Sequence, residues 1–363
     1  MGKDRTSLRF LPFWQPYLFL ASMPIGAYLG GWGYYLPLLL LYVFHPIVDR
    51  LGGENAFDEP TSKSESFFFD LPLWIFVPIY LGVLTWGMFD FVDSARGVFE
   101  RIGLILGAGV IGASCGITMA HELIHRRRYW ERGLGVTLFG AVSYMPFRLT
   151  HVYWHHPYVA TNLDPASAPE GMSVYRFWLR ALRGTFSQAW LIERERLRRQ
   201  GNDLHFWENR VTHYFVIQVI VMALIMRWWG PLGLAYFLGQ GVIAILMLET
   251  INYVEHYGLV RLVDEHGRPE PVTDRHSWDA TFRFSNWYLF NLGRHAHHHM
   301  APATHYEQLK LSKGSPKMPY GYSTMFLLAL FPPLWRSVMH PRIRAYEHFR
   351  ENDDHPPRSR RQA

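Results

Sequence analysis

Residues 102–125 read IGLILGAGVIGASCGITMAHELIH. Ile102 to Ala120 carry no charge, and a helix needs about 20 apolar residues to cross a bilayer. The stretch closes on His121-Glu122-Leu123-Ile124-His125, whose two histidines stand four apart and so share a helical face. One continuous segment therefore predicts a membrane span that ends by presenting two imidazoles. Two other readings compete for the same letters. Gly107-Ala108-Gly109-Val110-Ile111-Gly112 fits the dinucleotide pattern G-x-G-x-x-G, with an acid, Glu131, about 20 residues on. These glycines sit mid-span with no room for a βαβ unit, and small residues there let helices pack closely. His121 to His125 also fits HExxH, the zinc-protease motif. That site needs one more protein ligand and an open position, not a crowd of histidines.

The rest of the chain bunches its apolar residues in the same way. Hydrophobic residues make up 49% and charged residues 18%, below the roughly 25% charged of a soluble domain. Six spans are expected, at 13–31, 33–48, 72–92, 102–120, 212–228 and 231–251. Tight hairpins should turn at Gly30-Gly31-Trp32-Gly33 and Trp228-Trp229-Gly230-Pro231. The expected fold is an all-α integral membrane protein, one domain over 1–363, with six transmembrane helices and a histidine-rich cytoplasmic cap from 121–211 and 252–350. An arginine-rich helix is expected near 176–200, and an interfacial helix within Tyr320–Trp335, broken at Pro332-Pro333. The soluble alternative is a large buried helical core. Only Arg96, Arg101 and Arg227 would face the far side, leaving 33 of the 36 basic residues on the side of both termini. By the positive-inside bias that side is the cytoplasm. Cys115 is the sole cysteine, which excludes a disulfide framework and any cysteine-ligated zinc or iron–sulfur site. No cleavable signal peptide is evident, and a short myristoylation-like pattern at Met1–Thr6 is set aside.

Nineteen histidines would mean little if scattered, but four segments concentrate them. After His121 and His125 come His151-Val152-Tyr153-Trp154-His155-His156, then Glu255-His256 at the end of the last span, then His295-Ala296-His297-His298-His299. On α-helical spacing His151 faces with His155, and His295 with His298 and His299. His297 lies about 200° from His295 and leaves that face. His45, His205, His213, His266, His276, His305, His340, His348 and His355 are isolated. The nine expected ligands are therefore His121, His125, His151, His155, His156, His256, His295, His298 and His299. Nine imidazoles exceed what one ion takes, while four and five divide between two metals; all-nitrogen ligation suits zinc or iron equally. Glu122, Asp164, Glu249, Asn252 and Glu255 are expected to orient these ligands by hydrogen bonds. A polar interhelical pair is the other reading of Glu249 and Asn252. A metal transporter would instead spread its histidines through the membrane interior.

These motifs resemble those of the membrane-bound non-haem di-iron alkane monooxygenases, within the wider desaturase–hydroxylase superfamily. The matching stretches are His121–Arg126, His151-x-x-x-His155-His156, Asn252-Tyr253-Val254-Glu255-His256-Tyr257-Gly258-Leu259 and Leu292-Gly293-Arg294-His295-Ala296-His297-His298-His299, with Val159–Ser167 and Met318–Trp335 also alike. Two positions depart from the pattern: Thr150 stands where a glutamate usually precedes His151, and His297 where aspartate is frequent. The resemblance implies two iron ions, O₂ as oxidant, and hydroxylation of the terminal methyl of a medium- or long-chain alkane to a primary alcohol. It also implies a multi-pass protein of the bacterial inner membrane, both termini cytoplasmic, in contact with lipid. With no cysteine pair and no credible flavin or nicotinamide fold, the electrons must come from separate chains, in the family rubredoxin with its reductase. Arg126, Arg127, Arg128, Arg194, Arg196, Arg198 and Arg199 could attract such an acidic carrier; positive-inside charge and contact with lipid headgroups account for them equally well. An aryl-methyl, xylene-type monooxygenase shares the same iron site and is the nearest alternative, an intramembrane zinc metalloprotease a remote one. No nucleic-acid partner is expected.

Overall fold

The computed structural model describes residues 8–54, 66–201, 206–262, 264–266 and 268–354. Met1–Thr6, residues 55–65 of the acidic connection, and the tail beyond 354 lie outside them. The described chain is almost wholly helical, with only isolated β-bridges such as Glu54 with Phe282. Its principal helices are α1 (Gln15–Leu29), α2 (Gly31–Gly52), α3 (Ser66–Val92), α4 (Val98–Ile124), α5 (Tyr129–Ala141), α6 (147–158), α7 (Val174–Arg199), α8 (Arg210–His256), α9 (His295–Met300), α10 (Tyr322–Ala329) and α11 (Pro332–Asp354). The arginine-rich helix and the break at Pro332-Pro333 stand where the sequence put them.

Among the described residues four helices are long and apolar enough to cross a membrane: α2, α3 from Phe67, α4 and α8. Six were expected, and the difference has two physical causes. The first expected span is only 15 residues of α-helix in α1, about 22 Å at 1.5 Å per residue, short of a core of roughly 30 Å. The last two are one element, α8, of 47 residues. Straight, α8 would run about 70 Å, but Gly230 breaks it with φ 67° and ψ −165° just before Pro231. The limbs fold back on each other. Gln218 donates to Ser143 Oγ at 2.9 Å and Gln240 to the Ala141 carbonyl at 2.8 Å, so both limbs reach one turn. The other hairpin is equally tight. Gly30 and Gly31 have φ of 69° and 51°, and a Cβ on Gly26 would meet the Gly33 carbonyl oxygen at 2.1 Å.

Helix α4 is the inner helix: 83% of its apolar window is buried, against 22% for α2. Its glycines explain how. A Cβ on Gly109 would sit 2.5 Å from Ile243 Cβ, and one on Gly103 2.7 Å from Tyr34 Cβ. The G-x-G-x-x-G stretch is thus a packing surface, and Glu131 is buried, accepting from the Trp74 indole at 3.1 Å. Helices α4 and α8 both end at one pole of the bundle, and α6 and α9 close over that pole.

Candidate metal centre

The four histidine segments meet there in two groups whose ligand atoms lie within 4.8 Å of one another. One group is His121, His125, His151, His156 and His298; the other is His155, His256, His295 and His299. All nine expected histidines are used, and half-buried His297 belongs to neither. The sharing differs from the α-helical expectation. His121 and His125 do stay together, but His151–His155 is a π turn, which stacks i over i+5. His156 therefore joins His151, their Nε2 atoms 3.1 Å apart, and His155 turns to the other group. In α9, His295 and His299 pair with Nε2 atoms 3.1 Å apart, while His298 faces His121 and His125.

Local structure aims these segments. The turn into α9 holds Phe290 and Asn291 at φ 51° and 56°, a left-handed pair that costs about 1–3 kcal/mol each. The Asn291 amide donating to the Tyr306 carbonyl at 3.0 Å holds it in place. Buried Asp279 then accepts the Ala296 amide at 2.8 Å at the start of α9 and meets Lys317 at 3.3 Å. No sequence motif pointed to Asp279; it is one acid among many in a loop. Arg261, likewise unforeseen, donates to the carbonyls of Pro157 and Val159 and so pins the end of α6.

The donor set fits a metal. An ion about 2.0–2.1 Å from each imidazole nitrogen sets neighbouring nitrogens about 3.0–3.4 Å apart, and His295 Nε2 lies 3.2 Å from that of His256. Nε2 of His121, His125, His155 and His298 is buried with no hydrogen-bond partner, a cost of about 1–3 kcal/mol apiece that a shared cation would remove. Burial, and then repulsion between neighbouring rings, holds His151, His156, His295, His298 and His299 well below the usual histidine range. They are thus neutral, the state that binds metal.

The expected supporting residues divide. Asp164 accepts from His155 Nδ1 at 2.8 Å and from Ser167 at 2.6 Å. Burial alone would raise its carboxyl, but those two partners hold it below the usual carboxylate range. The His256 Nδ1 is met by the His276 carbonyl at 3.2 Å, not by an acid. Glu255 stands inside the ring of ligands and not behind it: Oε2 lies 3.2 Å from His295 Nε2, the nitrogen that faces His256 and His299, while Tyr322 donates to Oε1 at 2.8 Å. Among the described residues Glu122 is hydrogen-bonded to none of the nine histidine side chains; it pairs with Arg126 at 2.9 Å and accepts the Tyr306 amide. Glu249 is bonded by Tyr144, in the turn after α5, at 2.6 Å and by Asn252 of its own helix at 3.1 Å. Arg126, expected among the docking residues, is buried, 2.8 Å from Asp70 and 2.9 Å from Glu122. Arg127, Arg128 and Arg194 are exposed. Arg196 is tied to Glu193, and Arg198 and Arg199 to Glu195.

An apolar cavity leads from the histidines into the bundle. His121, His151, His295 and Glu255 line its polar end; Leu41, Ala113, Ile117, Met247, Ile251 and Phe326 are among its walls.

Apolar helices with a histidine centre at one pole define a protein of the fatty acid desaturase family, and that family matches residues 100–329. The likeness narrows within it. An alkane 1-monooxygenase 2 of Pseudomonas aeruginosa is 37% identical over 326 residues, 88% of this chain and 86% of the relative. An alkane 1-monooxygenase 2 of Alcanivorax borkumensis is 34% identical across 93% and 91%. The xylene/toluene monooxygenase hydroxylase component of Pseudomonas putida is more distant, 28% identical across 89% and 86%. The chain belongs to the alkane 1-monooxygenase family.

Proposed function

We propose that this protein hydroxylates the terminal methyl of medium- or long-chain alkanes to primary alcohols, with O₂ and electrons from rubredoxin. The observation that carries the reading is the cavity: apolar along its walls, it ends on His121, His151 and His295. An alkane enters such a space favourably, by roughly 0.8 kcal/mol per CH₂, with the histidines at one end of it. The nine histidines would hold two iron ions, five nitrogens on one side and four on the other. Bound iron would supply the redox chemistry that activates O₂. The chain's own residues do the rest. Leu41, Ile117, Met247 and Phe326 hold the substrate's chain and keep water out, and Glu255, held by Tyr322, places a carboxylate where cavity and histidines meet.

The membrane arrangement belongs to the same proposal. With both limbs of α8 counted, and α1 lengthened by the 3₁₀ turn Leu11–Trp14 that runs into it, six passes would put both termini and the histidine cap on the cytoplasmic side of a bacterial inner membrane, as one domain. An acidic rubredoxin would then approach the exposed Arg127, Arg128 and Arg194, and electron transfer should weaken as salt is added. A flat salt response would remove those residues from the docking surface. The substrate class is tested by product analysis with octane, hexadecane and xylene in the presence of rubredoxin and its reductase. Alkanols from the alkanes are expected; turnover of xylene alone would overturn the proposal in favour of the aryl-methyl class.

A further inference from the structure

Beside the histidine centre a cleft of about 890 Å³ opens between α5, α6, the start of α8, and Pro302–Ala303. Its rim is basic, lined by Arg127, Arg132, Arg148 and Arg210. Arg210 is paired with Glu193. The other three form no ion pair among the described residues. Arg132 donates to the Arg126 and Arg127 carbonyls and lies over the Tyr129 ring, and Arg148 donates to the Tyr214 hydroxyl at 3.2 Å. Tyr129, Tyr153 and Tyr214 line the same cleft, and tyrosines favour the membrane–water boundary.

The cleft does not end at this polar rim. Val136 lines it and also a second cleft, of about 390 Å³, that continues through Leu84, Met88, Gly140, Ile217 and Leu224 to Trp228. Its outer edge is open, since Ile217, Leu224 and Trp228 are exposed. Tyr214 to Trp228 is most of the first limb of α8, so the trough follows that limb from the polar rim into the apolar part of the bundle. Charge at one end and an apolar trough leading away from it match a phospholipid, headgroup at the rim and acyl chain in the trough.

We propose that this continuous groove binds one anionic glycerophospholipid, its phosphate on Arg132 and Arg148 with Arg127 at the rim, and an acyl chain along α5 and α8. Free phosphate or an acidic carrier protein would satisfy the arginines but would leave the apolar half empty. The position has a consequence for the metal centre. Of the nine histidines only His125 is not fully buried, and His125 lines the inner wall of this cleft. A bound headgroup covers the one exposed edge of the histidine cluster.

The test uses the full chain, delipidated in detergent and titrated with phosphatidylglycerol, phosphatidylcholine or inorganic phosphate, with bound lipid counted by native mass spectrometry. One phosphatidylglycerol per chain should be retained at concentrations where phosphatidylcholine is not. Each basic side chain near anionic lipid contributes about fivefold, so Arg132→Gln with Arg148→Gln should weaken retention roughly 30-fold. The double lysine variant should hold it within a few-fold, and Arg227→Gln should change nothing. Val136→Trp, which blocks the trough and leaves the charge, should also release the lipid. Equal retention of both lipids, or phosphate competing as well as phosphatidylglycerol, would overturn the proposal. So would an unaffected Val136→Trp protein, or a glutamine pair that loses rubredoxin binding while keeping the lipid. If the glutamine pair fails to fold, the lysine pair and Val136→Trp decide alone.

Discussion

The two histidine groups are built on different principles. In the group of four, rings are fixed from behind: Asp164 holds His155 and the His276 carbonyl holds His256. In the group of five, no ring is hydrogen-bonded to a carboxylate or carbonyl among the described residues. There the backbone is fixed instead. Arg126, buried between Asp70 and Glu122, ties the end of α4 to the start of α3, and the π turn of α6 sets His151 against His156. One group therefore depends on individual side-chain partners and the other on the placement of helices. The second kind of site also borders the cavity and the lipid groove, through His121, His151 and His125.

The largest effects should come from the ligands. His125→Ala and His299→Ala should each abolish turnover and each lower bound metal toward one ion per chain. If either variant lost both ions equally, the two groups would be one site and the contrast would fail. Next is the anchor under the group of five. Removing one partner of a buried ion pair costs about 3–5 kcal/mol, so Arg126→Ala should lower stability to unfolding by that amount. A stable variant with only weakened rubredoxin binding would return Arg126 to the docking surface. In the group of four, Asp164→Asn should cost about 10- to 100-fold in metal affinity or activity; equal weakening of metal in the group of five would show that Asp164 acts on the fold and not on His155. Smallest is His297→Ala, which should stay within about 0.5 kcal/mol in stability and leave metal content unchanged.

The sequence disclosed what short-range periodicity controls. Glycines marked both hairpins, because Gly30, Gly31 and Gly230 all need positive φ, and histidine spacing picked out the nine residues that converge. It did not disclose the sharing between groups. That sharing depends on the π turn at His151–His155, and nothing in the local letters distinguishes a π turn from an α turn. Arg126 reads like its exposed neighbours Arg127 and Arg128, and only the tertiary approach of Asp70, 56 positions earlier, buries it. Glu255 was expected behind the ligands. Its place among them follows from the approach of α9 and Tyr322, which are distant in sequence. The polar stripe of Glu249 and Asn252 was visible, but its partner Tyr144 was not. Composition measures apolar length only, and the bend at Gly230, inside the turn expected at Trp228–Pro231, divides the 47 residues of α8 into two limbs.

The account stands on the two groups each taking an ion, and metal analysis of the purified protein tests that most directly. Inductively coupled plasma mass spectrometry on protein quantified by amino-acid analysis should return two irons per chain. One ion per chain, or zinc in place of iron, would contradict it.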